Sequence, residues 1–249
     1  MFGDPGGPVV VLSPHLDDAV VSAWDVLRSP SAGGVQVVVP FAGVPPEGTT
    51  GRFDPVFGTD DSAALVRTRR KEDVAALAVL GRVPVHLDHL DEQYRTGPAD
   101  PVELARSIAA AVAPAAAVVA PAGIGRHADH LAVRAAAIEL ARAWDAALWL
   151  FADLPYAANF GWPSWVTGEA PDPRLVPEAA WAGVLAEVAD PVDLDVEVAR
   201  FDGADRTAKL AAVRCYASQW PALEGGPHAR MSNPAVAGFE VRWRVSRPA

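Results

Sequence analysis

The sequence contains a single cysteine, Cys215, in 249 residues, so no disulfide can form within the chain. We therefore expect a reducing, cytoplasmic location, although an exported protein without disulfides would have the same composition. The first ten residues, MFGDPGGPVV, have neither a basic segment nor a long apolar segment, and we expect no signal peptide there.

Basic residues are also scarce, because 21 Lys and Arg oppose 31 Asp and Glu and leave a formal net charge of −10. The longest basic cluster is the triplet Arg69-Arg70-Lys71. Nucleic acids and anionic membranes bind to basic faces of proteins. We therefore expect neither of them as a partner and predict a small-molecule ligand instead.

Long apolar runs are absent, but one long stretch of the chain carries no charge. Ser107 to Gly125 carries no charge and is long enough to cross a bilayer. The stretch is mostly alanine, however, and Pro114 and Pro121 would interrupt a spanning helix. A helix end, a turn and a buried strand explain it better, so we expect no membrane span.

Apolar residues make up 51% of the chain, and over the first 150 residues short apolar runs alternate with helical patterns. The predicted strands are Val9–Leu12, Val35–Phe41, Val83–Leu87, Ala116–Ala120 and Ala147–Phe151. The predicted helices are Ala19–Leu27, a segment starting at Asp61, a segment starting at Asp100 and His130–Trp144. This alternation is typical of a Rossmann-like, three-layer α/β/α fold with a mostly parallel central sheet.

The segment 151–249 is less regular, but no linker separates it, and we predict a single domain over residues 1–249 whose parallel core is residues 1–150. It begins with a loop rich in aromatics, Tyr156–Gly168, and continues with a predicted helix, Thr207–Gln219. Phe239–Val245 alternates between apolar and polar residues, which predicts an edge strand with one face in water.

Two loops with ionisable residues follow predicted buried strands. Ser13 to Asp18 (SPHLDD) follows the first strand, and Gly125 to His130 (GRHADH) follows the AAVVA strand. Loops at the carboxyl ends of parallel strands meet at one edge of the sheet, so His15, Asp18 and His130 can converge. Two imidazoles and one carboxylate are the ligand types of a catalytic zinc site.

Simpler interpretations exist for each motif alone. His-x-Asp-Asp could be a helix N-cap next to a solvated histidine, and His-x-x-His occurs often by chance. A non-catalytic Rossmann-like module that binds a sugar or nucleotide is a further alternative. The chain has no Gly-x-Gly-x-x-Gly or Walker-type loop, and both polar motifs come directly after buried strands, which favours a metal-dependent enzyme.

PHLDDAV followed by HADH resembles the PIG-L/LmbE family of zinc-dependent de-N-acetylases, whose motifs are Pro-His-x-Asp-Asp and His-x-x-His. The resemblance implies that His15, Asp18 and His130 ligate the metal and that Asp17 is the general base. His127 would stabilise the oxyanion or protonate the leaving amine. The family includes enzymes that deacetylate N-acetylglucosamine in glycolipid anchors, thiol cofactors and glycosylated antibiotics.

The resemblance also suggests residues around the metal. Arg69, three residues before Glu72, fits an Arg-x-x-Glu pattern that contacts sugar hydroxyls, with Arg70 as a competitor. Asp91 is the candidate for binding the same hydroxyls. Asp129 would either orient His127 or cap the next helix.

Later segments of the chain leave further alternatives. Lys209–Gln219 resembles a late helix of the family that supports the site. Trp162 and Trp165 would either stack on a sugar or belong to the core. His228 lies in a Gly/Pro-rich loop that could close over the site, whereas we expect His86 and His89 to be satisfied or solvent-facing.

We thus expect a hydrolase that removes an N-acyl group, in our prediction an acetyl group, from an amino-sugar or a glycosylated small molecule. Attack by metal-bound water, with Asp17 as general base, would cleave the amide. The expected cofactor is zinc, with iron or another divalent metal as alternatives. A second possibility is an enzyme of the same family that acts on another amide, such as a sugar–cysteine conjugate or an acylated antibiotic.

Overall fold

A computed structural model describes residues 2–3, 5–29, 34–225 and 230–246, so the loop position His228 lies outside the described residues. In the described part of the chain, seven strands form one sheet in the order β3-β2-β1-β4-β5-β7-β6. The strands are β1 (Val9–Leu12), β2 (Val35–Val39), β3 (Pro84–His86), β4 (Ala117–Pro121), β5 (Ala147–Phe151), β6 (Leu194–Arg200) and β7 (Phe239–Val245).

The strands β1 to β5 pair in parallel, and β7 pairs antiparallel with both β5 and β6. All residues of β1 and β4 are buried, which explains why valine and alanine fill both strands. The chain runs outward from β1 through β2 to β3 and then returns to the other side of β1 with β4. The topological switch point therefore lies between the carboxyl ends of β1 and β4, where open α/β sheets bind ligands.

Helices flank the sheet, and the predicted three-layer α/β/α architecture is confirmed. On the described residues they are α1 (Asp18–Ser22), α2 (Trp24–Leu27), α3 (Ser62–Ala78), α4 (Pro101–Ala111), α5 (Ala128–Trp144), α6 (Tyr156–Asn159), α7 (Ser164–Thr167), α8 (Pro177–Leu185), α9 (Gly203–Val213), α10 (Trp220–Leu223) and α11 (Pro234–Ala237). α4 packs against α5, and both α1 and α3 pack against α9. Within the ranges that the structure describes, no helix is long and apolar enough to cross a bilayer.

The prediction that Phe239–Val245 is an edge strand is wrong. This segment is β7, which lies between β5 and β6, and the edge is formed by β6, a strand that was not predicted. Two polar residues of β7, Glu240 and Arg242, are buried and have charged partners, whereas Arg244 is exposed. Glu240 pairs with Lys209 at 2.6 Å, and Arg242 pairs with Asp25 at 2.9 Å.

Two predicted helices have different boundaries in the structure. The helix predicted over Ala19–Leu27 is interrupted at Ala23, where the backbone N–H groups of Trp24 and Asp25 donate to the Glu240 carboxylate at 2.8 and 2.9 Å. The helix predicted over Thr207–Gln219 is α9, which starts at Gly203 and ends at Val213. Asp202 caps it by accepting from two backbone N–H groups.

The aromatic loop folds into α6 and α7, and its tryptophans resolve one of the alternatives left open by the sequence. Trp162 is 8% exposed, and its ring centroid lies 5.6 Å from that of Trp181. Trp165 also contacts Trp181, with the ring centroids 6.0 Å apart, but it is 43% exposed. Trp162 thus belongs to the core, Trp165 packs at its margin, and neither lines the cavity described below.

Candidate metal centre and active site

The two motif loops meet at the switch point between β1 and β4. His15 and Asp18 follow β1, whereas His127 and His130 follow β4. The ring centroid of His15 lies 4.9 Å from that of His127 and 5.3 Å from that of His130. The structure thus brings together groups that are more than 100 residues apart in the chain.

Asp18 lies between the two proposed histidine ligands. Its Oδ2 atom is 3.4 Å from His15 Nδ1 and 3.4 Å from His130 Nε2. In a tetrahedral zinc site with bonds of about 2.0 to 2.1 Å, ligand atoms lie about 3.3 to 3.4 Å apart. Both distances from Asp18 therefore match the separation of ligand atoms around a small divalent cation.

His130 gives an independent sign of a cation site. Its Nδ1 is hydrogen-bonded to Asp153 Oδ1 at 2.6 Å, so the proton of the neutral ring belongs on Nδ1. Its Nε2 is buried and has no hydrogen-bond partner among the described residues. A buried nitrogen lone pair without a partner is costly unless an ion binds it, so the donor set fits a metal.

Asp153 is a buried carboxylate that holds His130 in place. Besides the imidazole, it accepts the backbone N–H groups of Gly123 and Ile124, each at 2.8 Å. It is fully buried and lies two residues after the end of β5. A carboxylate of this kind fixes both the tautomer and the orientation of a ligand histidine.

Asp129 has the same relation to His15, and its side chain has neither of the two predicted roles, although its backbone N–H does contact the His127 ring. Its Oδ2 lies 3.0 Å from His15 Nε2, and it also accepts the Glu92 N–H at 3.0 Å and pairs with Arg95. The N-cap of α5 is His127, whose Nδ1 accepts the Asp129 N–H at 3.2 Å. Because the Asp129 side chain is fully buried, its charge needs these partners, which draw it away from His127.

Charge around the centre favours a cation. Burial opposes ionisation of Asp18, but His130 and His15 lower its pKa to about 2. Burial also opposes the charged form of His15, yet the hydrogen bonds with Asp129 and Asp18 raise its pKa well above the usual value. The carboxylates thus stabilise positive charge at this position, whether it is a proton or a metal ion.

Asp17 and His127 differ from the ligands in their protonation. Burial and the neighbouring Asp18 raise the pKa of Asp17 to about 7, the range of an efficient general base at neutral pH. Burial, together with His15 and His130, lowers the pKa of His127 to about 4. His127 is therefore neutral at pH 7, and with its Nδ1 accepting a backbone N–H it presents Nε2–H as a donor.

A cavity of about 340 Å³ opens over this cluster. Its polar lining residues are His15, Asp17, Asp18, Arg69, Asp91, Gln93, His127, Tyr156, Asn159 and Gln219. All the predicted catalytic and substrate-binding residues line it, and of the predicted metal ligands only His130 is not part of the lining. A volume near 300 Å³ is at the lower end of the range for small-molecule sites.

Arg69 and Arg70 differ in their burial and in their polar partners. Arg69 is 8% exposed, its guanidinium lies 4.2 Å from the ring centroid of Phe57, and its Nε and Nη2 have no hydrogen-bond partner among the described residues. Arg70 does not line the cavity, and it pairs with Asp88 at 3.3 Å. A buried guanidinium with unused donors beside a cavity is suited to binding a polar ligand.

The other predicted polar residues have well-defined surroundings. Asp91 caps a short 3₁₀ turn by accepting the Gln93 N–H at 3.0 Å, and its Oδ2 lies 3.8 Å from His15 Nε2. His86 is hydrogen-bonded to Asp73 at 2.7 Å, which agrees with the prediction of a satisfied histidine.

Two residues at the site were missed from the sequence, and both follow β5. Asp153 could have been noticed as an acidic residue just beyond a buried strand. Tyr156 lines the cavity, and its ring centroid is 5.6 Å from that of His130. Burial raises the pKa of Tyr156, so its hydroxyl keeps the proton. A Cβ at Gly125, where φ is +101°, would lie 2.7 Å from Tyr156 Cβ, so glycine at that position lets Tyr156 reach the site.

Gln219, at the end of the Lys209–Gln219 segment, lines the cavity and donates to the Leu16 carbonyl. The neighbouring Ser218 donates its backbone N–H and its hydroxyl to Glu72 at 2.9 and 2.6 Å. These contacts fix the C-terminal segment against α3 and against the loop that carries Asp17.

Three solved structures resemble the whole chain. The antimicrobial reagent A40926 pseudoaglycone deacetylase is 29% identical, with a TM-score of 0.72 and 99% of both chains covered. The zinc-inhibited form of a teicoplanin deacetylase is 28% identical, with a TM-score of 0.69 over 97% of this chain and 98% of that chain. A deacetylase–teicoplanin complex is 27% identical, with a TM-score of 0.68 over 97% and 99%. No curated protein matches the chain.

The family comparison covers the part of the chain that carries both motifs. Residues 10–141 match the PIG-L family, described as GlcNAc-PI de-N-acetylase. This range is more than half of the chain and includes the five residues His15, Asp17, Asp18, His127 and His130. The chain belongs to the PIG-L family of de-N-acetylases.

Proposed function

We propose that the protein is a metal-dependent N-deacetylase that removes an acetyl group from an amino-sugar carried on a larger glycosylated molecule. The observation that carries this proposal is the position of Asp18 Oδ2, 3.4 Å from two imidazole nitrogens, with the ionisable Asp17 next to it in the cavity. The similarity to deacetylases of glycosylated antimicrobials supports the reaction type and the substrate class.

His15 Nδ1, Asp18 Oδ2 and His130 Nε2 would hold the metal, which we propose to be zinc, with iron or another divalent metal as the alternative. When bound, such an ion lowers the pKa of water and polarises the amide carbonyl. One structural neighbour has a zinc-inhibited form, so the activating metal has to be determined by comparing several metals.

The proton transfers would be carried by Asp17. It takes a proton from the attacking water as the C–O bond forms, and it returns a proton to the leaving nitrogen as the C–N bond breaks, giving acetate and an amine. The pKa of about 7 supports both roles.

The oxyanion would be stabilised by two neutral donors, His127 Nε2–H and the Tyr156 hydroxyl. The pKa of His127, lowered to about 4, favours this donor role over the alternative in which His127 protonates the amine.

Arg69 and Asp91 would bind the hydroxyl groups of the sugar. The unused donors of Arg69 and the acceptor atoms of Asp91 line the same cavity as Asp17 and match the donor and acceptor properties of hydroxyl groups. The net charge of −10 supports a small-molecule substrate rather than a nucleic acid, and the single cysteine supports a cytoplasmic location.

Release of acetate tests the proposal. We expect release from at least one member of a panel of N-acetylglucosamine glycosides. Asp17→Asn should lower kcat by about 10²- to 10⁴-fold because it removes the base. Its metal content should be unchanged, since Asp17 is not a ligand. Absence of acetate release from the whole panel would contradict the function, and a fully active Asp17→Asn protein would contradict the assignment of the base.

A further inference from the structure

The side chain of Asp17, the proposed base, lacks the support that the proposed metal ligands have. His15 and His130 contact buried carboxylates, and Asp18 accepts the backbone N–H of His15 at 2.8 Å. The Asp17 carboxylate borders the cavity and accepts no hydrogen bond from the described residues. A general base has to stay within hydrogen-bond reach of the proton that it takes. The orientation of Asp17 therefore depends on its own backbone.

The backbone before Asp17 forms a tight turn. The Asp17 N–H donates to the His15 carbonyl at 3.0 Å, so the turn at Leu16 spans only three residues. The Leu16 carbonyl, which belongs to the peptide group shared with Asp17, accepts from the side-chain Nε2 of Gln219. It accepts no other hydrogen bond within the described ranges. Leu16 is 4% exposed, and a buried carbonyl without a donor is costly, so this peptide group depends on Gln219.

Gln219 approaches this turn from the segment between α9 and α10, 203 positions along the chain from Leu16. Its backbone N–H donates to the Tyr216 carbonyl at 3.0 Å. The neighbouring Ser218 is bonded to Glu72 of α3 through both its backbone N–H and its hydroxyl. The side chain of Gln219 is buried and is thus presented to the turn from a segment that α3 holds in place.

A role confined to attaching the C-terminal segment does not account for this contact. The two bonds between Ser218 and Glu72 already attach the segment to α3. A role confined to binding substrate does not account for it either, because the Gln219 amide donates to a backbone carbonyl although its side chain borders the cavity. The contact instead joins Gln219 to the peptide group from which the base projects.

We propose that Gln219 is a positioning residue for the base. Its amide holds the Leu16–Asp17 peptide group so that the Asp17 carboxylate stays in the cavity beside the metal ligands. This inference rests on the proposed function for the role of Asp17. A misplacement of about 1 Å can lower the rate of a reaction by about 10²-fold, so a single hydrogen bond at this peptide group is enough to change kcat. The metal ligands have their own contacts, and their affinity for the metal should not depend on Gln219.

Kinetics of acetate release test the inference. Gln219→Met, which has a similar shape but no donor, should lower kcat by about 10- to 100-fold, with KM and bound metal per chain within about twofold of wild type. Ser218→Ala is the matched control, because it removes the hydroxyl bond to Glu72 and keeps the backbone bond, and its kcat should stay within about twofold of wild type. An unchanged kcat of Gln219→Met, an effect on KM alone, or an equal loss of kcat in Ser218→Ala overturns the inference.

Hydrogen–deuterium exchange of the zinc-loaded protein tests the inference without the reaction. The N–H groups of His15, Asp17 and Ala19 are hydrogen-bonded within the loop. They should exchange about tenfold faster in Gln219→Met, whereas the amides of β4 should keep their rates and Ser218→Ala should change neither. Unchanged exchange in the loop overturns the inference even where kcat falls, because Gln219 would then act on the substrate directly. If no glycoside releases acetate, the proposed function fails, and the exchange rates still decide whether Gln219 orders the loop.

Discussion

Both ring nitrogens of His130, and both of His15, lie near carboxylate groups. One nitrogen of each ring faces Asp18 at 3.4 Å, and the other contacts a buried carboxylate, Asp153 for His130 and Asp129 for His15. A buried carboxylate makes the facing nitrogen the protonated one and leaves the other nitrogen as a ligand. The two outer carboxylates thus contribute to the proposed metal centre as much as the motif residues do.

Asp153→Asn should weaken metal binding by about 10- to 100-fold, because an amide can donate to His130 Nδ1 and move the ring proton to the ligand nitrogen. Titration of the metal-free protein with zinc measures the affinity. Asp145→Asn is the matched control, since Asp145 lies just beyond the end of α5, away from the cavity. An unchanged zinc affinity of Asp153→Asn would contradict the role of this carboxylate.

Tyr156→Phe should lower kcat by about 10²-fold if its hydroxyl donates to the oxyanion. Thermal stability should not change, because no hydrogen bond to a described residue anchors the Tyr156 hydroxyl. Tyr216→Phe should show the reverse pattern, since the Tyr216 hydroxyl donates to Asp73 at 2.7 Å and lies outside the cavity. Steady-state kinetics and thermal unfolding of both variants check this, and a kcat of Tyr156→Phe within twofold of wild type would exclude the donor.

The sequence predicts part of the site because some of its residues lie in recognisable motifs. His15, Asp17 and Asp18 are consecutive or nearly so, and His127 and His130 form a second motif. Asp153 and Tyr156 have no fixed spacing to either motif, and they enter the site only because β5 is the neighbour of β4. Similarly, the contact of Asp129 with His15 could not be predicted, because it depends on how closely the segment after β4 approaches the loop after β1.

Among the elements, β7 shows why an alternating pattern can mislead. Glu240 and Arg242 alternate with apolar residues, which is also the pattern of a strand with one face in water. In the structure, these side chains are buried against Lys209, Asp25 and Glu197. Charged partners on distant segments cannot be recognised from the strand itself, whereas the uninterrupted apolar run of β1 indicates burial on both faces.

Glu240→Ala should lower the free energy of unfolding by about 3 to 5 kcal/mol, because it leaves the fully buried Lys209 without its partner. It also removes the acceptor for the first two N–H groups of α2. Glu197→Ala, which removes a half-exposed partner of Arg242, should cost less than about 1 kcal/mol. Urea unfolding of both variants measures the difference, and similar losses would contradict the account of β7.

At the scale of the whole molecule, the order of the strands explains why the two motifs form one site. The identities of β1 to β5 and their parallel direction follow from the sequence, because apolar runs alternate with helices over this part of the chain. The order of the strands in the sheet does not follow from the sequence, since it depends on which edge of the sheet each crossover connection reaches. By returning to β1 with β4, the chain creates the switch point at which all the proposed metal ligands meet.

The central claim, a divalent metal held by His15, Asp18 and His130 that is needed for deacetylation, is tested most directly by removing and restoring the metal. The protein is treated with a chelator, dialysed and titrated with zinc, iron(II) or cobalt(II), while bound metal per chain and acetate release are measured together. We predict that the metal-free protein releases no acetate, that one ion per chain restores release, and that His130→Ala neither binds the ion tightly nor recovers. Full acetate release by the metal-free protein would contradict the account.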